Sequence, residues 1–324
     1  MKTIGRNVNN TKAQIVDSAR MAIDHLADAT PAIPSYSVVI RTFNSARTIR
    51  DTTASLQAQT HPPSRFIVVD SGSSDDTLAV IPDGSIIHHY SGRAFNYSEA
   101  INQGIPYIDT DYVLIISSHT SLANKEAMAF ALALLQRENT FGAAYFSLTT
   151  TGEPDFDVID RSTFTGFNGI FNTCGIYRTS LLRARLFRPE VFSAEDQEWS
   201  KWLIEREGKT IARVSGCGMT YNNPKRHSLK KWLDEWMAVA TFTRPSLLNW
   251  YRLARVAGRV IKPGVGLRER YFSFVLIFVL VFLKVTPDRL KPQRLRYCAA
   301  PEERTSRLRG VLSPGRDATE KMGV

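Results

Sequence analysis

From Tyr36 onward, apolar residues come in short unbroken runs, separated by longer stretches in which they recur at helical spacing. YSVVI is followed by ARTIRDTTASLQAQ, RFIVVD and DDTLAVI, and YSEAINQGI leads into a further run, DYVLIIS, which takes the place of a fourth strand. Runs without polar alternation predict strands buried on both faces. Helices of about ten residues between them predict a mostly parallel sheet flanked by helices, an α/β fold.

From about Lys125 to Thr243 the pattern is less regular. NKEAMAFALALLQREN predicts a helix, GAAYFSL a strand, EDQEWSKWLIEREG a second helix, TIARVSG a strand and LKKWLDEWMAVA a third helix. Between them lie the Gly/Asn-rich stretch TGFNGIFNTCG and the polar loop YNNPKRHS. This half is expected to shape a second substrate pocket beside the sheet. Residues 1–34 predict an appended helix over AQIVDSARMAIDHLAD, closed by Pro31 and Pro34.

Charge changes the picture at the C-terminal end. The formal net charge is +10 over 324 residues, yet from Arg244 onward there are 17 basic and 6 acidic residues, so everything before is close to neutral. Embedded in this cationic tail is YFSFVLIFVLVFL, residues 271–283. As a helix it would reach about 20 Å, short of the roughly 30 Å hydrocarbon core of a bilayer. Being apolar on every face, it belongs in protein or dipped into lipid. The flanking Arg268, Arg270, Lys284, Arg289, Lys291, Arg294 and Arg296 favour a membrane surface, with Trp250 and Tyr251 at headgroup level. Nucleic-acid binding would call for aromatic and basic residues interleaved along one surface, not a continuous apolar block. The division expected is therefore 1–34, 35–245 and a basic extension 246–324. Hydrophobic residues at 43% and charged residues at 22% exclude a wholly disordered chain. Cys174, Cys217 and Cys298 form no CxxC pair, and no apolar run follows the N-terminal charges, so a reducing compartment without a secretory signal is expected.

In an open parallel sheet, ligands bind beyond the carboxyl ends of the strands. The polar clusters there are Arg41-Thr42-Phe43-Asn44, then Asp70-Ser71-Gly72-Ser73-Ser74-Asp75-Asp76-Thr77, and Ser117-Ser118-His119-Thr120. Asp70 can accept from a base N–H or a ribose hydroxyl, and Phe43 can stack on a base. Each also has an ordinary reading, as a corner cap or as packing, and Asp75 and Asp76 read as caps of a helix over DDTLAVI.

The segments SVVIRTFNSARTIRDTTASLQAQ and FIVVDSGSSDDTLAV, with AINQGI, DYVLIISSHTS, NTCGIYRTSLL and AEDQEWSKWL in this order, resemble the family 2 glycosyltransferases of GT-A fold over residues 36 to about 245. The resemblance implies a nucleotide-diphospho-sugar transferase that moves a sugar to an acceptor hydroxyl with inversion; with the cationic tail at a membrane, the expected setting is cell-surface polysaccharide or glycolipid synthesis. It implies donor contacts at Thr42, Phe43, Asn44 and Asp70. The family's DxD metal motif falls on Ser117, Ser118 and His119, so the carboxylates preferred by Mg²⁺ or Mn²⁺ are missing. Two arrangements follow. His119 and His227 hold a divalent cation with the diphosphate, or His119, Lys225, Arg226 and Arg93 neutralise the diphosphate without metal. The ED motif falls on Glu195 and Asp196, with Asp196 as general base, ionised at an ordinary carboxylate pKa, and Glu195 assisting. Trp199 would wall the acceptor pocket and Trp202 would belong to the core. The expected partners are a nucleotide-sugar and a saccharide or lipid-linked acceptor at the inner face of the cell membrane, without nucleic acid. The alternative is a catalytically degenerate GT-A-fold protein that binds nucleotide or scaffolds at the membrane.

Overall fold

The computed structural model describes residues 33–222 and 228–296; the expected N-terminal helix, Lys225, Arg226, His227 and Cys298 lie outside them. In chain order the elements are β1 (Tyr36–Thr42), α1 (Ala46–Gln57), β2 (Arg65–Asp70), β3 (Ile86–His89), α2 (Tyr97–Gly104), β4 (Tyr112–Ser117) and β5 (Thr120–Leu122). Then come α3 (Ala127–Arg137), β6 (Phe141–Phe146), β7 (Thr151–Ile159), β8 (Cys174–Arg178), α4 (Thr179–Ala184), α5 (Glu195–Glu205), β9 (Thr210–Cys217) and β10 (Met219–Tyr221). The helices α6 (Leu229–Ala238), α7 (Trp250–Ile261) and α8 (Leu267–Val285) follow.

Eight strands form one mixed, mostly parallel sheet in the order β3-β2-β1-β4-β8-β6-β9-β7. The half made of β3, β2, β1 and β4 is parallel throughout, and β8 enters antiparallel between β4 and β6. Alternate side chains of each strand go to opposite faces, which is why the apolar runs are continuous. On one face Val38, Ile40, Leu114 and Ile116 pack with Ile49 and Leu56 of α1 and Met128 and Phe130 of α3. On the other, Val39, Ile67, Val69 and Ile115 pack with Ala100 and Ile101 of α2 and Trp199, Trp202 and Leu203 of α5.

DDTLAVI is not a helix. Only a 3₁₀ turn forms, Leu78–Val80, because Asp75 turns away to accept from the backbone N–H of Ala46 at 3.2 Å and of Thr77 at 3.0 Å. Asp75 therefore caps α1, and its carboxyl is held below its ordinary value mainly by the Thr77 hydroxyl. β7 escaped the periodicity reading because it is a sheet-edge strand of exposed polar residues, with a register break around Pro154. Gly216 lies opposite that break at φ +74°, where a Cβ would stand 2.1 Å from the Glu153 carbonyl oxygen, so only glycine fits.

The apolar run 271–283 is part of the 19-residue α8. One side of α8, with Leu276, Leu280 and Leu283, is buried against Met237, Val239, Leu247 and Leu253. Among the described residues, no helix is long and apolar enough to cross a membrane.

The helix α5 is tied to the chain after α4 by a buried ion cluster. Arg185 donates to both oxygens of Glu198, at 2.7 and 2.9 Å, and Arg188 donates to Oε1 at 3.3 Å. All three side chains are buried, so removing the acid leaves two guanidinium groups without their shared counter-ion. Glu198→Ala is expected to cost about 3–5 kcal/mol in denaturant unfolding. A loss below about 1 kcal/mol would show that water replaces the carboxylate and that the cluster does not anchor α5.

Candidate active site

The carboxyl ends of β1, β2 and β4 are stitched together before any ligand arrives. Asn44, at φ +50°, donates its backbone N–H to the Ser73 hydroxyl at 2.9 Å and accepts from the Ser74 N–H at 2.8 Å. Ser45 N–H donates to the Thr77 hydroxyl at 2.7 Å, and the Ser45 and Ser118 hydroxyls are 2.9 Å apart. This network brings Phe43, Asn44, Asp70 and Ser117 to one sheet edge, as expected. Phe43 and Asn44 are exposed there.

Two of the expected donor contacts are buried. Asp70 is buried, and its carboxylate accepts from the N–H groups of Gly72 and Ser73 at 3.1 and 3.0 Å and from the Ser73 hydroxyl at 2.5 Å. It therefore orders the 71–74 loop. Thr42 is buried too, with a hydroxyl that makes no hydrogen bond. Arg93 lies exposed on the loop between β3 and α2.

At the exit of β4, Ser118 is taken up by Ser45, and the imidazole of His119 meets the Thr48 hydroxyl at 2.8 Å through Nδ1. The short ladder of β5 with β10 delivers the chain after Tyr221 to this point, where Asn222 N–H donates to the His119 carbonyl at 2.8 Å. The polar loop 221–228 thus begins beside His119. Among the described residues, no group of three His, Cys, Asp or Glu side chains could hold a metal ion. His119 by itself does not make a site for a hard cation.

The acidic pair sits at the start of α5. Ala194, at φ +55° in the left-handed region, turns the chain so that both carboxylates meet the Gly/Asn-rich segment. Asp196 accepts from Asn172 N–H at 3.0 Å and Gln197 N–H at 2.8 Å, while Asn172 Nδ2 donates to Glu195 Oε1 at 3.0 Å. The Tyr177 hydroxyl donates to Asn172 Oδ1 at 2.6 Å, fixing which way that amide faces. The Gln197 side chain accepts from Gly169 N–H at 2.8 Å and donates to the Ile170 carbonyl at 2.8 Å, locking the 165–173 segment onto α5. Gly169 is required here, since a Cβ would lie 2.5 Å from the Ser200 hydroxyl.

Electrostatics corrects the expectation for Asp196. Burial first, and the neighbouring Glu195 second, push its pKa up to about 7, against the two backbone donors and Arg41, which pull it down. Asp196 is therefore a carboxylate poised near neutrality, not an ordinary one.

Trp199 is also corrected. It is 0% exposed, packed against Tyr177, Phe187 and Trp202, with its indole N–H on the Arg185 carbonyl at 2.9 Å. It walls no pocket; one turn along α5 from Asp196, the helix already faces the core. Trp202 lies in the same core. The sequence places Arg41 in the first polar cluster without a role; in the structure it reaches from β1 to within 3.8 Å of Glu195 and lies 5.0 Å from the Tyr97 ring centre. Its Nε and Nη1 are buried without a hydrogen-bond acceptor. A cation interrupting an apolar strand run was the available signal.

Residues 37–185 match the family described as Glycosyl transferase family 2. The chain is 30% identical over 112 residues to the O-antigen chain rhamnosyltransferase WbaN of Salmonella anatum, covering 33% of this chain and 35% of that protein. The chain thus spans about a third of the length of that curated relative. Crystalline S. aureus TarS 1-349 superposes with a TM-score of 0.50 at 20% identity, over 79% of this chain and 82% of that one. Glucosyl-3-phosphoglycerate synthase from Mycobacterium tuberculosis, in complex with Mn²⁺, UDP and phosphoglyceric acid, does so at 0.50 and 17% identity, over 64% and 76%. At these identities the two structures show that the fold is the GT-A type.

Unfolded, Asp196 titrates near 3.8, whereas folded it titrates near 7, so the folded state holds this proton more tightly. The stability this confers is full below the unfolded value and is lost as pH rises through about 7. Asp196→Asn, which stays neutral, should gain several degrees in Tm relative to wild type between about pH 5.5 and about pH 8.5. A Tm difference that stays flat over that range would mean that Asp196 titrates normally.

Proposed function

Residues 37–185 belong to the family 2 glycosyltransferases, and from that premise we propose that the chain transfers a sugar from a nucleotide-sugar to an acceptor hydroxyl with inversion, Asp196 being the base. The observation that carries this reading is the Asp196 carboxylate, oriented by two backbone N–H groups and raised toward neutrality. A base with a pKa near the working pH combines a useful ionised fraction with proton affinity.

In the reaction, the acceptor oxygen attacks the anomeric carbon, its proton passes to Asp196, and the bond from that carbon to the diphosphate oxygen breaks. Glu195, held by Asn172, orients the acceptor and maintains the electrostatic load on Asp196. The donor nucleoside lies against Phe43 and Asn44, whose positions are set by the loop that Asp70 orders. Ser117 and His119 face the diphosphate, with Arg93 approaching from the β3–α2 loop. His227, Lys225 and Arg226 are assigned to the same group, either through a divalent cation shared by the two histidines or as direct cationic partners. The acceptor is a saccharide or lipid-linked saccharide at the inner membrane face, a reading supported by the likeness to an O-antigen chain rhamnosyltransferase.

A thermal-shift titration with UDP, GDP, dTDP and CMP, with and without Mn²⁺, tests donor binding on wild type and His119→Ala. At least one nucleotide should raise Tm, and His119→Ala should weaken the effect. A shift that needs Mn²⁺ assigns the diphosphate to a metal, and one indifferent to it assigns the diphosphate to cationic side chains. No shift with these nucleotides or with the intact nucleotide-sugars would overturn the reading.

Turnover of the matching nucleotide-sugar, followed as nucleoside diphosphate release, should fall about 10²–10⁴-fold in Asp196→Asn with nucleotide binding kept. In wild type, kcat/KM should rise with pH through about 7. A pH-independent rate in that window would remove Asp196 from the role of base.

A further inference from the structure

The helix α8 is apolar all round in sequence but two-faced in the molecule. Its buried side faces α6, α7 and the segment between them. On the other side Leu267, Tyr271, Phe274, Phe278, Phe282 and Val285 are all exposed, Phe278 at 62% and Tyr271 at 57%. At 100° per residue these six positions fall within about 80° of arc, a single stripe about 27 Å long. A continuous aromatic stripe of this kind is far from the scattered exposed apolar residues of an ordinary surface.

The surroundings of the stripe say what covers it. Between Trp250 and Arg296 the chain carries eleven Lys and Arg residues and two acids, Glu269 and Asp288. Arg268, at the first turn of α8, lies 5.3 Å from the Phe272 ring centre, and Lys284, at the last turn, lies 4.9 Å from that of Trp250. Trp250 and Tyr251 are themselves exposed. Cations at both ends of an aromatic face match a layer that is anionic at its surface and apolar just below it. A second copy of the chain would instead bring like charge against like charge.

We propose that α8 lies in the plane of an anionic bilayer, with Tyr271, Phe274, Phe278 and Phe282 inserted below the headgroups and the surrounding Lys and Arg residues on the lipid phosphates. This deepens the membrane-surface part of the proposed function by naming the face and the lipid class, and it is independent of donor binding. The contact is interfacial and not spanning, because the opposite side of α8 is already used by Leu276, Leu280 and Leu283.

The test is cosedimentation of the full chain with vesicles of phosphatidylcholine, alone or with about 30% phosphatidylglycerol. Wild type should partition at least tenfold more into the anionic vesicles and stay partly bound in high salt, since an apolar anchor is not screened. Phe274→Glu with Phe278→Glu should lower partitioning at least tenfold with Tm unchanged. Phe278→Ser is the milder variant should the double one fold poorly, and it should lower partitioning in the same direction.

Wild type remaining in the supernatant would overturn the proposal, as would partitioning that the variants leave unchanged. So would a lipid-free dimer in sedimentation velocity that the variants break, since the stripe would then be an interface between copies. Nucleotide thermal shifts run on the same proteins separate the two readings: an unaltered shift with lost vesicle binding locates the defect in α8 alone.

Discussion

The buried carboxylate of Glu198 holds the helix on which the acidic pair is presented. It is shared by Arg185 and Arg188 and therefore fixes α5 to the segment that follows α4. Two residues earlier on the same helix is Asp196, and within the same turn or so Gln197 and Ser200 hold the Gly/Asn-rich segment. Slippage of α5 would break all of these at once, because each uses a different face of the same turn. The charges are tolerated in the interior because the acid accepts hydrogen bonds from both arginines.

That anchoring lets the site hold charge in an unfavourable place. Of two adjacent carboxylates, one buried and one half-buried, Asp196 has its proton affinity raised by burial and then by Glu195, and the nearby guanidinium of Arg41 offsets this in part. Asn172 divides its groups between them, giving its backbone N–H to Asp196 and its side-chain N–H to Glu195. Tyr177 burial pushes its hydroxyl well above its ordinary range, so it stays a proton donor to Asn172. Among the described residues, the two non-glycine positions with positive φ, Asn44 and Ala194, lie on the donor-side loop and at the start of α5. Among the described residues, left-handed backbone at non-glycine positions is thus confined to the two segments that frame the candidate site.

The C-terminal helices obey a different constraint. They have their own apolar cluster, reached from the main body through Phe167, Phe192 and Ala194. Phe167 meets Trp236 at 4.5 Å between ring centres, and Arg294 lies over Phe192 at 5.3 Å. The extension therefore touches the chain just before the acidic pair, which places α5 and the aromatic stripe of α8 on one connected body.

The sequence by itself determined the parallel half of the sheet, since β1, β2 and β4 are apolar runs whose pattern comes from burial on both faces. It also located the polar edge at 41–44, 70–77 and 117–120 and the acidic pair at the head of a helix, because strand exits and helix starts leave local marks. Only the tertiary structure decided what those residues face. The Asp70 carboxylate orders the loop after it, Trp199 turns inward, and Asp75 caps a helix 29 residues earlier in the chain. Asp70 is engaged by the turn directly after it, whereas Asp75 and Trp199 depend on segments distant in the chain, which bring the Ala46 N–H and the Arg185 carbonyl within reach. The raised pKa of Asp196 has the same origin, burial beside Glu195 under a segment from elsewhere in the chain. Edge strand β7 and the two sides of α8 were hidden for the complementary reason: polarity along the chain records average burial, and these elements are defined by which side of them is covered.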